Sequence, residues 1–340
     1  MSGTAWLWRG AFLLLVACLL ATGILLARFE SWRVDRIAEL GAGAEVVETG
    51  TGPQQYAERG EGIPVLIVHG TPGGYDQSLA VAEGLGLDEG FRVIAPSRPG
   101  YLGTPLGSRL LPEQQAADLV ALLDSIGLER AAVVGFSTGG PAAVQLAARH
   151  PERVSALILA SALVAPLPRT PSDGEPPLPE QVLRAVSGDI GTAIVAWQAQ
   201  NNPGRLMEAA LPLIYGGSAA QREVLLTASR SDPSQMESFI AMARSVIPIS
   251  PREAGSRNDL LQFRALTKLP VPAGVPMLVI HGSQDTFIPL PEAREFAARV
   301  PGSLFVAAEN TGHLFWIGAD GPRAAMAARE FLLKHSQPAE

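Results

Sequence analysis

The pattern of apolar and polar positions divides the chain into three unlike regions. Ala11–Ala27 (AFLLLVACLLATGILLA) is uncharged for 17 successive positions, apolar all round a helix and not along one stripe. As a helix it spans about 25 Å, the short end of what a bilayer core requires. Trp6 and Trp8 before it, with Phe29 and Trp32 after it, extend the fit as interfacial anchors. The run therefore predicts an uncleaved, single-pass N-terminal transmembrane helix. Signal cleavage near Ala21–Thr22–Gly23 and lipidation of Cys18 in Leu15–Val16–Ala17–Cys18 both conflict with the apolar residues that follow. Arg28, Arg33 and Arg36 after the run, against Arg9 before it, place the C-terminal part on the cytoplasmic side by a narrow margin.

After a charged connector at Arg28–Glu39, the pattern becomes that of a sheet protein. Ala44–Thr49 and Gln54–Glu58 read as short strands around the turn Gly50–Thr51–Gly52–Pro53. Ile63–Val68 (IPVLIV), Phe91–Ala95, Ala131–Gly135, Val154–Ala160 and Val275–Ile280 are continuous apolar runs, the mark of strands buried on both faces. Leu304–Ala308 reads as the final strand. Helical patterns at Gln77–Leu85, Pro112–Ile126, Thr138–Arg149 and Pro291–Arg299 alternate with them. The expectation is an α/β fold, a mostly parallel central sheet with helices on both faces.

The alternation stops between Ser161 and about Thr267. Pro166, Pro168, Pro171, Pro176, Pro177 and Pro179 make an irregular entry, followed by helix-like stretches at Glu180–Val186, Gly191–Gln200 and Gln221–Ser229. This reads as a helical lid inserted between two strands. Trp197, Met207, Tyr215, Met236, Phe239 and Met242 either line an apolar pocket or form the lid's own core. The predicted division is thus an anchor and connector at 1–40, a core at 41–161 and 268–340, and a lid at 162–267.

Composition adds mainly exclusions. A chain of 340 residues allows one large domain or two modest ones. With 26 Lys and Arg against 33 Asp and Glu, the net charge of −7 offers no basic footprint for nucleic acid. Cys18 is the sole cysteine, which excludes an intrachain disulfide and a Cys-rich zinc site.

The candidate chemistry begins at VVGFSTGG (Val133–Gly140). Gly135–Phe136–Ser137–Thr138–Gly139 fits G-x-S-x-G between a buried strand and a helix. That is where a strained turn lifts a serine hydroxyl above the sheet edge. Such a hydroxyl needs a base. His69 and His281 end apolar strands and look architectural, His150 closes the helix after Ser137, and His335 lies in a polar tail. His313, just after the last strand, falls over the same sheet edge as Ser137. Asp285, following Val275–Ile280, is placed to orient it, and the order Ser–Asp–His is a known arrangement. The amide of Thr138 and that of Thr71 in His69–Gly74 (HGTPGG) are placed to bind an oxyanion, with Gly73 in reserve because Pro72 has no N–H. HGTPGG lacks the lysine and spacing of a phosphate loop.

HGTPGG, GFSTGG, GSQD and TGH, in this order, with SRPGYLGT at Ser97–Thr104, resemble the α/β-hydrolase superfamily over about residues 44–334. The resemblance implies a Ser137–Asp285–His313 triad. HGTPGG is similar to the oxyanion loop of proline iminopeptidases, which usually carry tryptophan where this chain has Thr138. Ser137 argues against epoxide hydrolases and dehalogenases, which use an aspartate. The expected activity is that of a serine hydrolase cleaving an ester or related acyl bond in a small or medium apolar substrate, with no metal or organic cofactor. A ligand sensor or scaffold with little turnover, or a proline iminopeptidase-like peptidase, are the alternatives.

Overall fold

The apolar runs assemble into one eight-stranded sheet in the computed structural model, which describes residues 3–166 and 188–336. The strands are β1 (Glu45–Thr49), β2 (Gly52–Arg59), β3 (Ile63–Val68), β4 (Phe91–Pro96), β5 (Ala131–Phe136), β6 (Val154–Ala160), β7 (Met277–Gly282) and β8 (Leu304–Ala308). Their spatial order is β1-β2-β4-β3-β5-β6-β7-β8. β1, β2 and β4 pair antiparallel at one edge, and every other pairing is parallel. The polar β1–β2 hairpin caps the sheet edge, while all six residues of β5 are buried at its centre.

The two-residue period of the strands builds two cores. Val65 and Ile67 of β3 join Val134, Ile158 and Ile280 on one face; Leu66 and Val68 join Val133, Leu157 and Val279 on the other. The first face is covered by α2 (Tyr75–Gly84) and, further along the chain, by the C-terminal helix Gly321–His335. The second is covered by α3 (Pro112–Ser125), α4 (Gly140–Arg149) and the helix Leu290–Ala298. Gly321–His335 buries Ala324, Ala328, Phe331 and Leu332. Its small alanines blur the hydropathy stripe, which is why the pattern missed it.

Between β6 and β7 lie five described helices: α5 (Asp189–Asn201), α6 (Pro203–Ile214), α7 (Ala219–Ser231), α8 (Pro233–Arg244) and α9 (Glu253–Ala265). The helices at β7–β8 and after β8 are accordingly α10 (Leu290–Ala298) and α11 (Gly321–His335). The expected stretches at 191–200 and 221–229 fall within α5 and α7; Glu180–Val186 and the prolines from Pro168 to Pro179 lie outside the described residues. α6 and α8 begin with Pro203 and Pro233, residues that read as breaks in a sequence yet suit a first helical turn, where an N–H has no partner. Met207, Tyr215, Phe239 and Met242 are buried in continuity with the α2–α11 core, whereas Trp197 is 55% exposed.

The N-terminal apolar run is part of a 40-residue helix, α1 (Gly3–Ala42). The expected connector is helical too. It has neither Pro nor Gly between Ile24 and Leu40, and Arg33–Glu30 (2.5 Å) and Arg36–Glu39 (3.1 Å) brace it at i,i+3. Phe12, Leu13 and Leu25 are each at least 65% exposed, and among the helix's described large apolar side chains Leu40 alone is buried, against Ala57, Tyr75 and Ala95.

Candidate active site

The turn after β5 carries the candidate nucleophile. Ser137 has φ +51°, a left-handed conformation that costs a non-glycine residue roughly 1–3 kcal/mol. Two close approaches hold it there. A Cβ on Gly139 would stand 2.1 Å from the Val68 carbonyl, and one on Gly135 would stand 2.7 Å from the Ala143 Cβ. The Leu163 amide donates to the Ser137 carbonyl at 2.8 Å, and Pro141 opens α4 immediately behind. The glycines flanking Ser137 therefore answer to sterics, and the hydroxyl is left facing the ends of the strands.

Ser137, His313 and Asp285 come together there in hydrogen-bonding order. His313 Nδ1 lies 2.8 Å from Asp285 Oδ2 and its Nε2 lies 3.0 Å from Ser137 Oγ. A carboxylate can only accept, so Nδ1–H donates to Asp285 and Nε2 is left to accept from the serine. Asp285 Oδ1 accepts the amides of Phe287 (2.8 Å) and Ile288 (3.1 Å). Burial alone would raise the Asp285 carboxyl. The facing His313 and the hydrogen bonds from His281 and His313 outweigh it and hold the group well below the usual carboxylate range. Aromatic neighbours pack against the imidazole, with ring centroids of Phe136 at 5.3 Å and Phe287 at 5.0 Å. Ser137 and His313 are only 6% and 7% exposed.

The helical insertion holds this arrangement in place. The His313 amide donates to the Ile214 carbonyl at the end of α6 (2.8 Å), and Gly216 N donates to Gln284 O (2.7 Å). Gly312 sits so close that a Cβ there would lie 2.1 Å from Ile214 O. These contacts escaped the sequence reading, because no local pattern links a helix end to loops a hundred residues downstream.

Thr71 and Thr138 face one another beside Ser137, their hydroxyl oxygens 2.8 Å apart. Among the described residues neither amide donates to a side chain or to a carbonyl outside the regular elements. Gly73 N, by contrast, is used within the loop, donating to Gly70 O at 2.9 Å. Gly70 permits the approach: a Cβ there would lie 2.7 Å from the Ser137 Cβ. Its amide donates to Gln77 Oε1 at 2.7 Å, so the first turn of α2 orders the loop.

The other histidines have different partners. His69, fully buried, accepts from Arg98 N on Nε2 (2.9 Å), so its Nδ1–H donates to Gly70 O (2.7 Å). Burial, reinforced by the Arg98 cation, pushes this imidazole well below its ordinary value. His281 donates from Nε2 to Ile288 O at 2.8 Å and stands 3.2 Å from Asp285 Oδ2. It is therefore a second imidazole on the candidate triad's carboxylate, a contact its strand-end position did not reveal. His150 is 3.7 Å from Glu152, and His335 lies in the last turn of α11 against Phe331.

Comparison with known proteins bears on the fold. A family model described as alpha/beta hydrolase fold matches residues 63–319. An uncharacterized hydrolase, YcgS of Bacillus subtilis, is 27% identical over 85% of this chain and 98% of its own length. An alpha/beta hydrolase fold protein from Nakamurella multipartita superposes with a TM-score of 0.78 at 33% identity, covering 85% of this chain and 98% of its own. A thermophilic esterase from Thermogutta terrifontis gives a TM-score of 0.60 at 25% identity over 86% and 99%. The sheet order, the turn at Ser137 and these matches together show that the chain belongs to the alpha/beta hydrolase fold family.

Proposed function

We propose that the protein is a serine hydrolase that cleaves an ester or related acyl bond through an acyl-enzyme. The carrying observation is the Ser137–His313–Asp285 chain of hydrogen bonds at 3.0 and 2.8 Å. Ser137 Oγ attacks the acyl carbonyl while His313 Nε2 takes its proton. Asp285 keeps His313 in the tautomer with Nδ1–H and stabilises the imidazolium. The amides of Thr71 and Thr138 receive the developing oxyanion, a contribution typically worth about 3–4 kcal/mol per donor. His313 then protonates the leaving alkoxide, and a water deprotonated by the same nitrogen releases the acid and restores Ser137.

An ester is favoured because the Thermogutta relative is an esterase. A small or medium apolar acyl group suits the apolar, aromatic surroundings of His313, which packs against Phe136 and Phe287. The α5–α9 insertion acts as a lid, a reading supported by the bond from the His313 amide to Ile214 O at the end of α6 and by the low exposure of Ser137 and His313. α1 anchors the enzyme in a membrane. Asp189 at the start of α5 lies 4.0 Å from Arg33 of α1, and Ile190, Ile194 and Trp197 form an exposed apolar stripe at i, i+4, i+7 on that same helix. Lid and anchor thus offer apolar surface side by side, which suits substrates drawn from a lipid phase.

A panel of p-nitrophenyl esters from acetate to decanoate tests the activity. Wild type turns over at least one chain length, and His313→Ala lowers kcat by about 10⁴-fold or more. Turnover undiminished in His313→Ala would defeat the proposal.

A further inference from the structure

A single carboxylate from the insertion lies behind both residues of the candidate oxyanion hole. Asp259, on the second turn of α9, is 2% exposed and accepts both Nη atoms of Arg98, at 2.6 and 2.9 Å. Its Oδ2 also accepts the Tyr101 hydroxyl at 2.6 Å and the Thr71 hydroxyl in a short contact, with Thr138 Oγ1 at 3.4 Å. Thr138 and Thr71 share a hydrogen bond at 2.8 Å. Because the carboxylate can only accept, it sets the direction of the hydroxyls: Thr138 donates to Thr71, and Thr71 and Tyr101 donate to Asp259.

We propose that Asp259 is a positioning residue for the reaction: it fixes the side chains of Thr71 and Thr138 so that their amides stay aimed at the developing oxyanion. The inference rests on the serine-hydrolase reading above and goes beyond it, because it makes α9 part of the catalytic frame. An unpaired carboxylate this close to the hole would repel a tetrahedral oxyanion. Arg98 neutralises it, and Arg98 is itself steadied by Gln115 Oε1 (3.1 Å) and His69 O (3.3 Å). The same helix grips the loop a second time. Arg252, fully buried where α9 begins, donates to Gly73 O at 2.6 Å and to both oxygens of Asp76 at 3.0 and 2.8 Å. Backbone bonds from Leu102 N to Pro251 O (2.7 Å) and from Gly255 N to Gly100 O (2.8 Å) complete the contact. Together these contacts dock α9 onto the loops after β3 and β4.

The test separates positioning from plain packing. Amides that act on the oxyanion stabilise the transition state more than the bound ester, so their misplacement appears in kcat and leaves KM nearly unchanged. Thr71→Val removes the hydroxyl, keeps the amide and keeps the side chain's shape. With a turned-over p-nitrophenyl ester as probe, it lowers kcat by about 10- to 100-fold with KM within about twofold, and Thr71→Ser recovers most of the loss. Asp259→Asn gives the same kcat-specific loss, and the double variant Thr71→Val/Asp259→Asn falls little further than either alone. If Asp259→Asn does not fold, the Thr71→Val and Thr71→Ser pair decides. Thr71→Val with wild-type kcat, or a loss confined to KM or melting temperature, overturns the role of Asp259. Ser137→Ala is assayed alongside, and undiminished turnover there would sink the serine-hydrolase reading itself.

Discussion

His69 shows how an architectural side chain leaves a measurable trace. It is buried, and both ring nitrogens are committed, Nε2 accepting from Arg98 N and Nδ1–H donating to Gly70 O. Its lowered native value means the unfolded chain binds a proton that the folded chain does not. Stability attributable to His69 is therefore intact above the ordinary imidazole value near 6.5 and is lost as pH falls below it. Denaturant titrations of wild type and His69→Gln should show the wild type weakening more steeply on acidification, and parallel slopes would contradict the assignment. Residues of this kind bound what the sequence makes legible. Ser137, Asp285 and His313 could be located because each follows a recognisable apolar strand that delivers it to one sheet edge. Asp259 and Arg252 sit in a charged helix without an apolar stripe, and nothing local distinguishes them from solvated residues. His281 was placed correctly at a strand end, but its contact with Asp285 depends on the fold of the intervening turn.

At the scale of elements, all eight strands were legible: β3 to β7 because burial on both faces demands uninterrupted apolar runs, β1 and β2 because the turn Gly50–Pro53 separates them, and β8 as a short apolar run. α6 and α8 were not picked out by the pattern, while α9 was hidden by its charge and α11 by its alanines. α6 matters most, because its last carbonyl, Ile214 O, holds the His313 amide at 2.8 Å. Gly312 makes that approach possible. Gly312→Ala places a methyl group 2.1 Å from Ile214 O, so α6 and the His313 loop must separate. Displacing an imidazole by about 1 Å costs on the order of 100-fold in rate. The expected result is a large fall in kcat, measured by initial rates, with the folded state retained by circular dichroism. A Gly312→Ala enzyme of wild-type kcat would show that α6 does not set the position of His313.

Over the whole molecule, α1 joins the membrane proposal to the folded core. Its first part exposes apolar side chains, yet its last turn is tied down: Arg36 is 3.6 Å from Asp76, and Leu40 O accepts from Tyr75 Oη (3.1 Å) and Gln55 Nε2 (3.3 Å). Full-length protein should sediment with membranes after a carbonate wash, whereas a chain starting at Arg36 should be soluble with its catalytic rates intact. Removing α1 through Ala42 should lower the melting temperature by a further several degrees, since burial of Leu40 is worth about 1.5–3 kcal/mol. Full-length protein soluble without detergent would contradict the anchor. Hydropathy made the apolar part of α1 legible as a helix; its continuation into the core was not, because the polar residues after Ala27 resemble a linker until Leu40 is seen against Tyr75 and Ala95. The central claim, that a nucleophilic serine on this scaffold is activated by His313, is tested most directly by intact-mass and peptide mapping after treatment with a fluorophosphonate. One adduct per chain, located on Ser137 and strongly reduced in His313→Ala, is the predicted result. An adduct on another residue, or equal labelling of Ser137→Ala, would contradict it.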